Sequence, residues 1–411
     1  MGYSGNISRR RSLKALYAAL GFAGIAAAGL GYGSDTARAQ SDDPVNIGFI
    51  ASLTLPGSVL EGQRMVRGAE LGIEYINANG GVLGGRKLKL VVQNDSGQAA
   101  NGVAAYRSLV NEFNVPIVYG IYNSATAIAV GEVAEQVGTP LLVTEAGSDD
   151  ITKAGHDMVF RTAPTSLSKG FLVANFFKAK GFKRVVSLMP NTAYGQTTAE
   201  ALREAAAVAA PELQIEYVTF DNTAVDWTAA LLAVKAKKPD VIWNGAVEPQ
   251  ASLIYRQAIT VGLVPEVPWL WAGSIPTVGD WWGNHGQAGV GVYFNLNYSP
   301  KQELSPEGEW FKAEYQKRFG EVPNFAAVAP FSNTLVIADL LNQAKGTDAH
   351  VLVKELETGE FRGFTKKPVK FSTEKGINWH NWGSPYVIAQ MTELNQAWYD
   401  APVVATGDVP E

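Results

Sequence analysis

The stretch "VPIVYGIYNSATAIAVGEVAEQVGTPLLVTE", residues 115–145, contains the pattern that decides the fold. An apolar run ends at Gly120, a helical pattern follows from about Ser124, and a second apolar run begins at Leu141. The helical pattern ends in Val-Gly-Thr-Pro, and Gly and Pro just past the last periodic residue are typical of a helix C-terminus. A strand, a helix and a second strand in this order predict a βαβ unit with parallel strands.

The same alternation extends from this unit in both directions. Upstream it runs through "VNIGFIA", "EGQRMVRGAELGIEYINANG" and "KLKLVVQND", and downstream it restarts near Leu172 with "KRVVSLMP", "QTTAEALREAAAVAA" and "LQIEYVTF". The polar, Pro-containing segment 160–170 lies between the two series. We therefore predict an α/β protein of two Rossmann-like lobes with parallel-type central sheets. The later patterns "FSNTLVIADLLNQA" and "SPYVIAQM" could belong to either lobe.

The residues after Gly120 form a corner rich in hydroxyl groups. Ligands of open α/β sheets bind beyond the carboxyl ends of the strands. The first turn of a helix has unpaired N–H groups and partial positive charge, which suit a carboxylate. Ser124 and Thr126 add hydroxyl donors there. The alternative is that Asn123 or Ser124 only caps the helix.

The next strand end, in "LLVTEAGSDDIT" at residues 141–152, repeats this arrangement of a strand followed by small and polar residues. Two adjacent strand ends of this kind can form two walls of one site. Glu145 stands at the mouth and could accept a hydrogen bond from a ligand. Asp149 and Asp150 fit solvated charges at a helix start better.

The N-terminal segment resembles a twin-arginine export signal. "SRRRSLK", residues 8–14, precedes an uncharged Ala/Gly-rich run and the sequence "ARAQ", which predicts cleavage after Ala39. The alternative is an uncleaved membrane anchor. The segment 1–39 holds five basic residues and one acidic residue, so the remainder carries about −9 against −5 for the whole chain. That charge argues against a nucleic-acid partner.

Enzyme and metal chemistry lack a sequence signature in this chain. No cysteine occurs, which excludes disulfides, thiolate metal ligands and cysteine nucleophiles. The sequence holds no GxSxG, no Gly-Lys dipeptide and no HExxH. "GGVLGG", residues 80–85, lies between a helix and a strand, the reverse of the order in phosphate loops. We predict no catalytic residue, no metal and no cofactor.

Nearly the whole chain after the signal resembles the periplasmic solute-binding proteins of the branched-chain amino acid (leucine/isoleucine/valine-binding) family of ABC importers. The most specific match is "INANGGVLGGRKLKLV". The matching segments are residues 46–57, 67–97, 120–127, 139–152, 160–165, 193–196 and 255–263. The resemblance implies the type I periplasmic-binding fold, with two lobes joined by three crossovers and a cleft that closes over a solute. It assigns residues 40–163 and 295–370 to lobe 1, and 164–294 and 371–411 to lobe 2.

The resemblance also implies a ligand site, position by position. The carboxylate-binding corner of the family falls on Ser124, Ala125 and Thr126, beside Asn123, and the second wall falls on Glu145, Ala146 and Gly147. The family often has a threonine at the position of Gly147. The remaining positions are Tyr194, which matches a stacking tyrosine; Glu61, which matches a side-chain-pocket aromatic; Ala246 and Val247, where the family often has tyrosine; and Ser274.

One departure from the family concerns the ligand ammonium. Amino acid binders of this family hold it with an acid at the strand end where this chain has Gly273 and Ser274. A buried ammonium without a partner is costly. Either Glu145, Glu248 or Glu61 replaces the acid, or the ligand has no ammonium. Trp269, Trp271, Trp281 and Trp282 would favour an aromatic acid if they lined the site, and are core or rim residues otherwise.

The function implied is that of a periplasmic receptor that delivers a small carboxylate-bearing solute to the membrane permease of an ABC importer. A branched-chain or related amino acid is the first ligand class, and an aromatic or other organic acid without an ammonium is the second. An enzyme on the same scaffold is the alternative from another class.

Overall fold

A computed structural model of the protein describes residues 43–298, 301–384 and 386–407. The export signal predicted at residues 1–39 lies outside the described residues. The described chain forms two sheets, each covered by helices on both faces. We call the part around the first sheet the first lobe and the part around the second sheet the second lobe.

The first sheet is parallel throughout, with strand order β2-β1-β3-β4-β5. Its strands are β1 (Val45–Ala51), β2 (Leu88–Asn94), β3 (Val118–Gly120), β4 (Leu141–Val143) and β5 (Val159–Arg161). Because β3 and β4 are adjacent and parallel and the helix Ser124–Val137 connects them, the βαβ unit predicted for residues 115–145 is confirmed.

The second sheet is mixed, with strand order β12-β11-β10-β9-β8-β6-β7. Its strands are β6 (Arg184–Pro190), β7 (Gln214–Phe220), β8 (Val241–Asn244), β9 (Trp269–Trp271), β10 (Tyr293–Leu296), β11 (Tyr386–Gln390) and β12 (Val403–Gly407). The first five are parallel, whereas β11 is antiparallel to both β10 and β12. The run "SPYVIAQM" thus joins the second sheet, as an antiparallel strand.

The helices connect the strands and cover the sheets. They are α1 (Val59–Ala78), α2 (Ala99–Phe113), α3 (Ser124–Val137), α4 (Asp150–Lys153), α5 (Ser166–Lys180), α6 (Ala193–Ala209), α7 (Thr228–Ala236), α8 (Gln250–Thr260), α9 (Trp281–His285), α10 (Pro306–Phe319), α11 (Phe325–Ala344) and α12 (Ala349–Thr358).

Each lobe has a core on both faces of its sheet. In β1, alternation puts Ile47 and Phe49 against α1 and α11, and Ile50 on the opposite face against α2 and α3. In the second lobe, α5 and α6 cover one face and α7 and α8 the other. Helix α11 is long and apolar enough to span a membrane, but it is almost wholly buried and serves as a core helix of the first lobe.

The chain passes between the lobes after β5, after β10 and before β11. The α/β class predicted from the sequence is confirmed, while the lobe boundaries stay a prediction. The third passage bears on the boundary placed at residue 371. Phe371 belongs to the core of the first lobe, and the His380 ring stacks on Phe160 with ring centroids 3.9 Å apart. This packing favours a third crossover nearer to residue 383.

Candidate functional site

A cavity of about 320 Å³ lies between the two lobes, at the carboxyl ends of their strands. This volume suits a small molecule. Nine of the residues predicted as ligand contacts line it: Glu61, Asn123, Ser124, Ala125, Glu145, Gly147, Tyr194, Val247 and Ser274. The fold therefore brings together side chains that are as far as 213 positions apart in the chain, from Glu61 to Ser274.

Three predicted contacts do not line the cavity. Ala146 packs in the first lobe's core and Ala246 in the second lobe's. Thr126 is fully buried, and its methyl group lies close to Gly102 on α2, only 2.3 Å from where a Cβ on that glycine would be. For these residues a ligand contact stays a prediction from the resemblance.

The N-terminus of α3 opens into the cavity without a side-chain cap. Asn123 occupies the cap position with an extended backbone, but its side chain makes no capping hydrogen bond and its Oδ1 lies 3.1 Å from Ser52 Oγ. Ser124 Oγ accepts a hydrogen bond from the Ser148 N–H at 3.2 Å, which leaves its own proton available for donation. The alternative that these residues only cap the helix is thereby disfavoured, and the corner can bind an anion.

Three carboxylates line the cavity, and two of them already have partners. Glu61 forms a 3.2 Å ion pair with Arg64 and accepts a 3.3 Å hydrogen bond from Asn324. Glu248, just before α8, accepts a 2.6 Å hydrogen bond from Ser252 Oγ in the first turn of that helix. Among the described residues, His, Asp and Glu form no group of three that could hold a metal ion.

Glu145 is the acid with unused bonding capacity. Its Oε1 is buried and has no hydrogen-bond partner in the described part of the chain. Burial and the nearby Glu61 raise the pKa of the Glu145 carboxyl well above its usual value, and Lys169 only partly opposes them. A buried acceptor without a donor is costly, so a ligand that donates to Glu145 would stabilise the site.

Lys169 is the cation of the cleft, and the sequence prediction missed it. The residue is 4% exposed and lies in the first turn of α5, where the helix dipole disfavours a positive charge. Burial lowers the pKa of Lys169 to about 8, although Glu145 raises it. A lysine in the first turn of a helix is unfavourable, and this was the available signal in the sequence. Recognising it required knowing where α5 begins.

The second lobe contributes Tyr194, Ser274 and their neighbours. Tyr194 lines the cavity from α6 and donates a hydrogen bond to the Ala272 carbonyl at 3.3 Å, while Ser274 Oγ donates to the Asn295 carbonyl at 2.9 Å. Hydrogen bonds between the lobes include those from Ser58 Oγ to the Glu248 carbonyl and from Asn324 Nδ2 to Thr277 Oγ1, each 3.3 Å long. Both lobes thus surround the cavity.

The tryptophans do not line the cavity. Trp269, Trp271 and Trp281 are buried in the core of the second lobe around Tyr255, and Trp282 packs against that core. The aromatic residues that do line the cavity are Tyr122, Tyr194 and Phe325. Tyr122 and Phe325 were not predicted, and the other lining residues that the prediction missed include Pro56, Asn222, Thr223 and Asn324.

Two α/β lobes line this cavity, which contains an uncapped helix N-terminus, the buried amine of Lys169 and a Glu145 oxygen without a partner among the described residues. This is the arrangement of a two-lobed solute-binding protein. A family model described as "Periplasmic binding protein" matches residues 44–393. The chain therefore belongs to the periplasmic binding protein family, which confirms the resemblance seen in its sequence.

Relatives and solved structures agree with this assignment. Leu/Ile/Val-binding protein homolog 7 of Brucella suis is 25% identical over 332 residues, which cover 77% of this chain and 82% of the relative. A branched-chain amino acid substrate-binding protein of Streptococcus pneumoniae, solved with isoleucine, shares the fold with a TM-score of 0.75 at 23% identity, over 88% of this chain and 99% of that one. A solute-binding protein of Rhodopseudomonas palustris, solved with 3,4-dihydroxybenzoic acid, has a TM-score of 0.75 at 20% identity, over 90% and 98%.

Proposed function

We propose that this protein is the receptor of an ABC importer for a branched-chain or related amino acid, which it delivers to a membrane permease. A twin-arginine signal at residues 1–39 would export it to the periplasm. The family membership supports the receptor role, since its relatives and structural neighbours are binding proteins of transporters. No catalytic step is proposed.

The observation that carries the choice of an amino acid is the unpaired oxygen of Glu145. The family's acid for the ligand ammonium is absent at Gly273 and Ser274, but Glu145 Oε1 lies buried beside the cavity and has no donor among the residues that the structure describes. An ammonium at Glu145 and a carboxylate at the start of α3 would satisfy both polar ends of an amino acid. The cavity of about 320 Å³ leaves room for a short apolar side chain.

Binding would stabilise a closed arrangement of the lobes. Ser124 and Glu145 belong to the first lobe, whereas Tyr194 and Val247 belong to the second. A ligand contacts both sets at once only when the lobes are together, so its binding free energy favours closure. This is the property a permease would detect.

The second candidate ligand is an aromatic or other organic acid without an ammonium. The absence of an acid at Gly273 and Ser274 favours it, as does the structural neighbour solved with 3,4-dihydroxybenzoic acid. The burial of the tryptophans in the core removes the stacking surface that would have supported this candidate from the second lobe.

The deciding experiment is calorimetric titration of the purified protein with leucine, with its deaminated analogue 4-methylpentanoate and with benzoate. We expect leucine to bind at least 30-fold more tightly than 4-methylpentanoate, because leaving a buried charge unpaired costs about 2 kcal/mol or more. Glu145→Gln should abolish that preference, and the exposed Glu132→Gln on α3 should leave it intact. Tighter binding of 4-methylpentanoate or benzoate would replace the amino acid by an organic acid. Turnover of any bound solute would refute the receptor role.

A further inference from the structure

We propose that Lys169 binds the carboxylate of the solute, and that Gly147, which has no side chain, leaves the space that the Lys169 ammonium needs. The proposal rests on the proposed function and adds to it a contact from a second structural element. It makes Lys169, together with the start of α3, a specificity-determining residue for anionic ligands.

The geometry around Gly147 shows why the two positions belong together. A Cβ built on Gly147 would lie 3.6 Å from Lys169 Nζ, 3.7 Å from Tyr194 Cε2 and 3.8 Å from the Pro164 carbonyl oxygen. The resemblance places a threonine at this position in many family members. The hydroxyl and methyl of a threonine extend about 1.5 Å beyond Cβ. They would therefore compete with the Lys169 ammonium for the same space.

Lys169 has no structural role that accounts for its charge. Within the ranges that the structure describes, its side chain forms no ion pair and no hydrogen bond, and its ammonium lies over the Tyr194 ring, 5.7 Å from the ring centroid. Glu145, Asp149 and Arg161 act on it only through longer-range electrostatics. A buried, unpaired ammonium in the first turn of a helix costs stability in the empty protein. A bound anion would supply the missing partner.

The same loop connects Lys169 to the start of α3. The Ser148 N–H donates to Ser124 Oγ at 3.2 Å, and Gly147, one residue earlier, faces the Lys169 ammonium. A carboxylate in front of Ser124 therefore lies at the loop that Lys169 also approaches. Because α5 packs on the sheet of the second lobe and α3 on that of the first, one carboxylate would join the two lobes.

The orientation of the whole solute follows from this placement. Glu145 and Lys169 both line the cavity, and their side chains form no ion pair with each other among the described residues. A zwitterion placed with its carboxylate toward Lys169 and its ammonium toward Glu145 neutralises both. This orientation supports an amino acid as the solute, and it depends on Glu145 and Lys169 alone.

The test compares acids with their amides in the wild-type protein and in Lys169→Gln. The probes are leucine against leucinamide, 4-methylpentanoate against its amide, and benzoate against benzamide. We expect the wild-type protein to prefer the acid of the pair it binds by at least tenfold, and Lys169→Gln to reduce that preference to less than threefold. Lys354→Gln, at an exposed position on α12, is the control. Circular dichroism checks that each variant is folded.

A second set of variants tests whether a side chain at position 147 and the Lys169 ammonium compete for the same space. Gly147→Thr alone should weaken acid binding, because the threonine displaces the ammonium, whereas the double variant Gly147→Thr/Lys169→Gln should recover at least tenfold over Lys169→Gln alone. An undiminished preference for the acid in Lys169→Gln would overturn this inference and leave the proposed receptor intact. If the wild-type protein bound none of the acids, the proposed function and this inference would both fail.

Discussion

Replacing Lys169 by methionine should stabilise the empty protein. The side chain is buried, and burial lowers the pKa of Lys169 from the usual 10.5 to about 8. Each pKa unit corresponds to about 1.4 kcal/mol, so the charged form destabilises the folded state by about 3 kcal/mol at pH 7. Methionine has a similar length and no charge, and can therefore fill the same space without this cost. We expect the free energy of unfolding to rise by about 3 kcal/mol.

The pH dependence of the stability difference between Lys169→Met and the wild type shows whether the charge of Lys169 causes it. Below pH 8 the lysine is charged in both the folded and the unfolded protein, and the full cost is present. Between pH 8 and 10.5 the folded protein releases its proton before the unfolded chain does, so wild-type stability increases relative to the variant. The advantage of Lys169→Met should therefore shrink from about 3 kcal/mol at pH 7 toward zero near pH 10.5.

Urea denaturation, followed by far-ultraviolet circular dichroism, measures this difference. The protein is first unfolded in guanidinium, dialysed and refolded, which removes any solute bound during preparation. Lys354→Met, at an exposed position, is the matched control and should stay within about 0.5 kcal/mol of the wild type. Equal or lower stability of Lys169→Met at pH 7, or a difference that does not change with pH, would refute this account of the buried ammonium.

Two further predictions concern the cores of the lobes. Burial lowers the pKa of His285 to about 4, and neither ring nitrogen has a partner among the described residues. The folded pKa lies below the unfolded value of 6.5, so the free energy of unfolding of the wild type should fall by about 3 kcal/mol as the pH falls from 6.5 to 4. His285→Phe should lack this fall, which urea midpoints measured at pH 7 and pH 4 would show. Gly68→Ala should lower the free energy of unfolding by about 1–3 kcal/mol, because its Cβ would lie 2.0 Å from the Ala327 carbonyl oxygen of α11. The control is Gly131→Ala, whose nearest neighbour is 3.3 Å away; equal urea midpoints for the two alanine variants would contradict the proposed close approach of α1 to α11.

Periodicity predicted the elements with a clear apolar or amphipathic pattern, including the three-residue strands β3 and β4, and missed strand β5. Strand β1 and helix α1 were predicted because a buried strand and an amphipathic helix carry clear signals. Strand β5 has three residues, and one of them is the buried Arg161, whose guanidinium donates to the Ser148 carbonyl at 2.6 Å and to Thr152 Oγ1 at 2.9 Å. In the sequence, this arginine made residues 160–170 look like a polar segment between the lobes, so the strand was not predicted.

The parts of the candidate site that lie at the ends of strands could be predicted from the sequence. The corner at Ser124 and the wall at Glu145 follow from strand ends, and strand ends follow from periodicity. Lys169 could not be found in this way, because its proposed role depends on the space next to Gly147, which only the packed structure shows. Likewise, Thr126 faces Gly102 for a reason of helix–helix packing that no local pattern contains.

The charges of the cleft also explain how a small solute could bind tightly. Micromolar affinity corresponds to about 8 kcal/mol, of which an anion at a helix N-terminus supplies only about 0.3–2. Coupling energies of close charge pairs at buried interfaces reach about 1.5–7 kcal/mol, so contacts to Glu145 and Lys169 can provide the larger share. The desolvation of these two groups occurs when the protein folds, before the solute arrives. If the proposed function holds, low stability of the empty protein and high affinity for a zwitterion would therefore be two consequences of the same unpaired groups.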